Sequence, residues 1–266
     1  MNFLTKNNDT KVDKDDKKII RKKPTEKDGI INFYEVIPTK YLNKNDNPNF
    51  KDHNMDIPFR ACVCAPSGSG KTNFVLNILK KFSKGKGTFV DIYIITNNKD
   101  EPLYNWLGDN FDNIHILEGM ANTPNLDDMD KSYNTLVIWD DLVINKNQEK
   151  AKNYFMRARK QSCCVIYISQ SYFDILPFIR KNSNYLFLFD LGGSKREQTT
   201  ILKEWGRNLT PEELTAMYED ATSVHMRPLI IQGGKVQDIN KKYRKGFTDY
   251  YTMKEIKQLA SDKLNE

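Results

Sequence analysis

A mainly parallel β-sheet covered by helices, an α/β fold, is the architecture this sequence predicts, and two observations predict it. Short apolar runs rich in β-branched and aromatic residues recur at 59–65, 89–96, 113–117, 135–139, 163–169, 185–189 and 228–232. Continuous runs of that length suit strands buried on both faces. Stretches with apolar residues at helical spacing separate them, and such alternation is the pattern of parallel sheets joined by helical crossovers. No internal repeat interrupts the series.

With 266 residues the chain is long enough for one such domain and short extensions, and too short for a second full domain. Residues 1–28 carry charges of both signs and few apolar groups, so a disordered tail is expected there. Its basic run Lys17, Lys18, Arg21, Lys22 and Lys23 reads as solvated charge, with nucleic-acid contact or targeting as the alternative. Residues 29–58 read as a leading strand and a polar loop, 59–240 as the α/β domain, and 241–266 as a basic helical extension. Thr210, Pro211, Glu212 and Glu213 form a capping box with proline at the first helical position, opening a helix that ends near Asp220.

Composition excludes some classes. No apolar stretch approaches the roughly 20 residues needed to cross a bilayer, so no membrane partner is expected. Residues 1–6 run straight into charge without the apolar segment of a secretory signal, which predicts an intracellular protein. A net charge of +6 permits a polyanionic partner without demanding one. Cys62, Cys64, Cys163 and Cys164 fall inside predicted strands at spacings unlike a zinc site and read as small buried hydrophobes. His53 reads as loop, His115 as strand and His225 as a residue leading into a strand; they share no ligand spacing.

Chemistry concentrates after the first run. Ala65, Pro66, Ser67, Gly68, Ser69, Gly70, Lys71 and Thr72 match the phosphate-loop pattern G-x-x-x-x-G-K-[ST], with Ala65 where the first glycine is usual. Glycines at 68 and 70 let backbone N–H groups turn inward around a phosphate, and the helix that follows aims its positive end there. Lys71 can reach the β- and γ-phosphates of ATP, and the Thr72 hydroxyl can ligate Mg²⁺.

The run ending in Trp139 leads into Asp140 and Asp141, an apolar strand closed by two carboxylates. Asp140 is the expected Mg²⁺ partner with Thr72, and Asp141 the group that orients the attacking water. Many ATPases of this type place glutamate second, and the alternative for Asp141 is a cap on the following turn. The run 163–169 ends at Gln170, whose amide can accept from water and donate to phosphate, the behaviour of a γ-phosphate sensor.

These segments, APSGSGKT, LVIWDD and above all YISQSYFDILPFIRKNSN at 167–184, resemble the FtsK–HerA superfamily. Within it they are most similar to the genome-packaging ATPases of poxvirus-like large DNA viruses and virophages. The likeness spans roughly residues 59–205, with Gln170, Arg180, Asn182 and the strand from Tyr185 in the family order. It implies a RecA-like P-loop NTPase in which the Gln170 strand lies between the strands leading to Lys71 and Asp140. It also implies a homo-oligomeric ring, hexameric by preference, that threads double-stranded DNA into a capsid. An arginine from a neighbouring subunit completes each site in such rings, and Arg157, Arg159 and Arg180 are the candidates. The family commonly has arginine where this chain has Tyr185. A capsid or portal protein is the implied docking partner, and the host cytoplasm or viral factory, with virion association, the implied location.

Independently of the resemblance, Lys146, Lys150, Lys152, Arg157, Arg159 and Lys160 gather on one segment with Tyr154 and Phe155 between them. Lys80, Lys81, Lys84 and Lys86 gather at the end of the helix after the phosphate loop. Either group could neutralise successive phosphates; a solvated helix face is the other reading. No base-reading motif occurs, so DNA binding is expected to be independent of sequence. A kinase of a small acceptor and a non-motor nucleotide-binding scaffold are the competing functions.

Overall fold

The computed structural model describes residues 26–27, 29–35, 37–38, 45–144, 147–206, 209–234 and 238–265. The chain divides into two units, residues 1–42 and 43–266. In the first, β1 (Glu26–Lys27) pairs antiparallel with β2 (Ile30–Ile31), and a 3-10 turn follows at Phe33–Glu35. Most of the predicted tail lies outside the described residues. The leading strand expected from Ile30 is two residues long because the chain turns at Phe33.

The second unit opens with the short helix α1 (Phe50–His53) and β3 (Arg60–Cys64), whose end feeds the loop at 65–70 and α2 (Lys71–Phe82). There follow β4 (Asp91–Thr96), α3 (Pro102–Asn110), β5 (Ile114–Glu118), β6 (Thr135–Asp140), α4 (Glu149–Arg157) and β7 (Cys163–Ser169). Then come α5 (Pro177–Asn182), β8 (Tyr185–Leu188), α6 (Lys195–Trp205), α7 (Pro211–Thr222) and β9 (Leu229–Gln232). β10 (Tyr243–Lys245), β11 (Asp249–Tyr250) and α8 (Met253–Leu264) close the chain. Every predicted run from 59 onward is a strand, with ends shifted by two residues at most. The capping box of α7 forms as expected, Thr210 and Glu213 each bonding the other's backbone N–H.

The strands form one nine-stranded sheet in the order β11-β10-β9-β8-β3-β7-β6-β4-β5. All pairs from β8 to β5 are parallel, and β9, β10 and β11 continue antiparallel beyond β8. The Gln170 strand, β7, lies between β3 and β6. Adjacent residues of one strand feed opposite faces, as the pleat requires. Cys62, Cys64, Val137 and Trp139 join a core with residues of α4, α6 and α7, while Ala61, Val63, Leu136 and Ile138 join another with residues of α2 and α3. All four cysteines are buried free thiols.

The tail end of the chain differs from the expected helical extension, since Tyr243–Lys245 and Asp249–Tyr250 belong to the sheet and helix starts only at Met253. Arg244 hides this strand from a sequence reading. It is almost fully buried, and its guanidinium donates to the backbone oxygens of His53, Asn54 and Phe247 and to the Tyr250 hydroxyl, between the Tyr185 and Tyr250 rings. Burial of the charge is compensated only because so many acceptors converge on it.

His53 sits against this cation. It is fully buried, its ring stacks on Phe82 with centroids 3.8 Å apart, and its Nδ1 accepts from the Met55 N–H at 3.0 Å. Burial, and then the charge of Arg244, push its pKa from 6.5 down to about 4. The folded chain therefore holds it neutral while the unfolded chain takes up a proton between those values. Stability is full above pH 6.5 and declines as pH falls toward about 4, by up to about 3 kcal/mol. His53→Gln, which keeps an acceptor for Met55, is expected to flatten that decline in urea unfolding measured across the same range.

Candidate functional site

Three strand ends meet in one row. The register pairs Cys64 with Ser169 and Asp140 with Ile168, so the residues that leave β3, β7 and β6 emerge level with one another. Ligand sites in open α/β sheets lie at this carboxyl edge of the parallel strands. Here the edge brings together the loop at 65–72, Asp140, Asp141 and Gln170.

The loop is shaped by its glycines. Gly68 has φ of 76° and Gly70 φ of 89°, the left-handed region that only glycine enters at low cost. Ser69 closes the turn, its N–H and hydroxyl both donating to the Pro66 oxygen, at 3.2 and 2.6 Å. Gly70 precedes α2 without a side-chain cap among the described residues, and uncapped N–H groups at a helix start can bind an anion. A Cβ at Gly70 would come within 2.7 Å of Met226 Cγ, and the Asn73 amide lies 3.1 Å from the Met226 sulfur. Met226, far along the chain, thus flanks the loop.

Lys71 Nζ lies 4.0 Å from Asp141 Oδ2, and the same oxygen accepts a short hydrogen bond from the Gln170 amide. Asp141 has φ of 55°, a conformation aspartate tolerates better than most residues. Its N–H donates to Ile168 O at 3.2 Å, which ties the turn to β7. The carboxylate thus faces Lys71 and the end of β7.

Asp140 is buried. Tyr104 on α3 donates its hydroxyl to Asp140 Oδ2 at 2.6 Å, whereas Oδ1 is buried without a partner among the described residues. Burial pushes the Asp140 carboxyl above its ordinary 3.8, opposed by the Tyr104 hydrogen bond and by Lys71. The Thr72 side chain is a further polar neighbour of the Tyr104 phenol. A carboxylate oxygen without a partner among the described residues and a threonine hydroxyl, both near one phenol, are hard oxygen donors of the kind that fits a divalent cation such as Mg²⁺.

Sequence reading missed three residues here. Tyr104, Met226 and Glu197 lie on separate segments, and no motif connects them to residues 65–72. Glu197 of α6 is 8% exposed and accepts from the Ser171 hydroxyl at 3.0 Å and from the Tyr172 N–H. Tyr172, past Gln170, donates to Glu204 at 2.6 Å and accepts from the Trp205 indole at 2.8 Å.

The candidate arginines lie elsewhere. Arg157 and Arg159 precede β7, at the edge opposite the loop at 65–72, separated from it by a strand of seven residues. At ~3.3 Å per residue that is about 20 Å. Arg157 pairs with Asp127, while Arg159 is exposed and makes no ion pair among the described residues. Arg180 covers the Tyr172 ring at 4.5 Å. Lys150 donates to the oxygens of Ala121 and Thr123, Lys152 pairs with Glu149, Lys84 with Asp52, and Lys86 with Asp46. Lys146 lies outside the described residues.

Gly70→Ala is expected to destabilise the fold by about 1–2 kcal/mol, through its positive φ and the contact with Met226. In urea unfolding, adding Met226→Ala should recover the contact part of that loss and leave the part due to φ.

No protein-family model and no curated protein matches the chain. Among solved structures it is similar to the genome packaging NTPase B204 from Sulfolobus turreted icosahedral virus 2 in complex with sulfate. That likeness has a TM-score of 0.51 at 14% identity, covering 72% of this chain and 97% of that one. EssC (ATPases 2 and 3) from Geobacillus thermodenitrificans is also similar, with a TM-score of 0.49 at 10% identity, covering 79% of this chain and 43% of that one. The nine-stranded, mainly parallel sheet flanked by helices therefore has the α/β fold seen in the viral genome-packaging NTPase.

Proposed function

We propose that the protein is a Mg²⁺-dependent ATPase motor that translocates double-stranded DNA and packages a viral genome. The observation that carries this reading is the convergence of Lys71, Thr72, Asp140, Asp141 and Gln170 at three neighbouring strand ends. The fold likeness to a packaging NTPase supports the same direction.

Each residue has a task set by its surroundings. Residues 65–72 cradle the triphosphate with main-chain N–H groups, and Lys71 exchanges Asp141 for the β- and γ-phosphates. That exchange frees the Asp141 carboxylate to orient a water molecule. Asp140, held by Tyr104, and Thr72 would hold Mg²⁺, which when bound neutralises charge that develops on the phosphates. Gln170, already bonded to Asp141, stands where it can report whether a γ-phosphate is present.

The DNA partner is supported by the two basic segments. Their ion pairs are exposed, and exposed pairs contribute only ~0–1 kcal/mol, so phosphates can displace the carboxylates. Arg157 and Arg159 sit too far from their own subunit's phosphate loop to act there. In a ring they would serve a neighbour's site or the DNA, and Arg180 would have to leave Tyr172 to do so. A capsid or portal protein as docking partner rests on the resemblance alone.

ATP hydrolysis by the full chain, measured with and without duplex DNA at low and high salt, tests the proposal. Stimulation by DNA of any sequence that fades as salt rises is the expected result. Transfer of phosphate to a small acceptor would instead indicate a kinase, and a rate indifferent to DNA would leave a nucleotide-binding scaffold. Lys71→Ala should lower turnover on the order of a hundredfold or more, and Arg157→Ala subunits mixed with Lys71→Ala subunits should regain activity if sites are shared.

A further inference from the structure

We infer that Glu197 is a positioning residue for Gln170, a buried carboxylate on α6 that fixes the backbone on which the sensor amide is carried. Gln170 itself is exposed and sits just past the end of β7, beyond the strand's own ladder of hydrogen bonds. Its amide bonds Asp141, and the chain just beyond it is held by the Ser169 hydroxyl, which bonds the N–H and the oxygen of Ser171, and by Glu197.

Glu197 does this through one atom. Its Oε1 accepts from the Ser171 hydroxyl at 3.0 Å and from the Tyr172 N–H, and the Cys64 thiol approaches it at 4.0 Å. These donors come from the two residues after Gln170 and from the last residue of the strand that leads into the phosphate loop. The side chain makes no ion pair among the described residues, although a buried carboxylate is costly unless donors converge on it. Seven residues further along, and so on the same face of α6, Glu204 accepts from the Tyr172 hydroxyl at 2.6 Å. Neighbouring Trp205 donates to that hydroxyl at 2.8 Å. α6 consequently grips residues 171–172 at two points, and Arg180 closes over the Tyr172 ring. A shift of Gln170 on gaining or losing a phosphate contact is then delivered to α6 rather than dissipated in a loop.

The role in hydrolysis rests on the ATPase reading above, whereas the tether itself does not, and two measurements keep them apart. In the full-length nucleotide-free protein, Glu197→Leu should speed hydrogen exchange at the amides of residues 171–173 by about tenfold. Amides of β7 should stay protected as in the unaltered chain. Glu197→Gln, which retains an oxygen at the Oε1 position, should keep the slow exchange. Unchanged exchange in Glu197→Leu would overturn the tether. If that variant unfolds, Glu197→Asp, with its oxygen withdrawn by one methylene, should show the same local loss in a folded chain, and normal exchange in it would overturn the tether equally.

In turnover, Glu197→Leu should lower kcat roughly tenfold with the KM for ATP unchanged. The double variant Glu197→Leu/Gln170→Ala should be no slower than Gln170→Ala alone. Losses that multiply would show that Glu197 does not act through Gln170. An unaltered chain that fails to hydrolyse ATP would end the proposed function and leave the exchange result to judge the tether.

Discussion

Parallel pairing of β7 with β3 on one side and β6 on the other is the constraint on which the site depends. Because parallel ladders have a fixed slant and even spacing, the register decides which residues leave the sheet together. Here it pairs Cys64 with Ser169 and Asp140 with Ile168, so the loop at 65–72, the Gln170 amide and the Asp140–Asp141 carboxylates leave the sheet at one edge. A slip of one residue would also turn every buried side chain of that strand to the opposite core.

Electrostatics then distinguishes two adjacent carboxylates. Asp140 is buried, held by a phenol and left with one oxygen unpaired among the described residues, while Asp141 is partly exposed and shared by an ammonium and an amide. Desolvation raises the cost of the Asp140 charge, and a divalent ion would relieve it; Asp141, in contact with solvent, is free to exchange partners. Two groups of the same type on consecutive residues thus acquire different chemistry from their surroundings. Glu197 is a third case, a buried acceptor whose donors are all uncharged.

Much of this was legible in the sequence because it is local. The strands at 135–139 and 163–169 declare themselves as continuous apolar runs, and residues 65–72 as a motif between a strand and a helix. The order of strands beyond β8 was not legible. Tyr243–Lys245 and Asp249–Tyr250 are short and lie among charged residues, and the burial of Arg244 between two tyrosine rings violates the pattern that marks a strand. Tyr104, Met226 and Glu197 reach the site through long-range packing, which has no periodicity to read. The basic clusters were legible only in part: a sequence displays Lys84, Lys86 and Arg157 but not the Asp52, Asp46 and Asp127 that face them.

Titration calorimetry of a non-hydrolysable ATP analogue into the purified chain, with and without magnesium, bears most directly on the claim that these strand ends form a nucleotide site. Saturable uptake that depends on the divalent ion and disappears in a folded Lys71→Ala chain is the predicted result. Equal uptake by the two chains, or none by either, would contradict it.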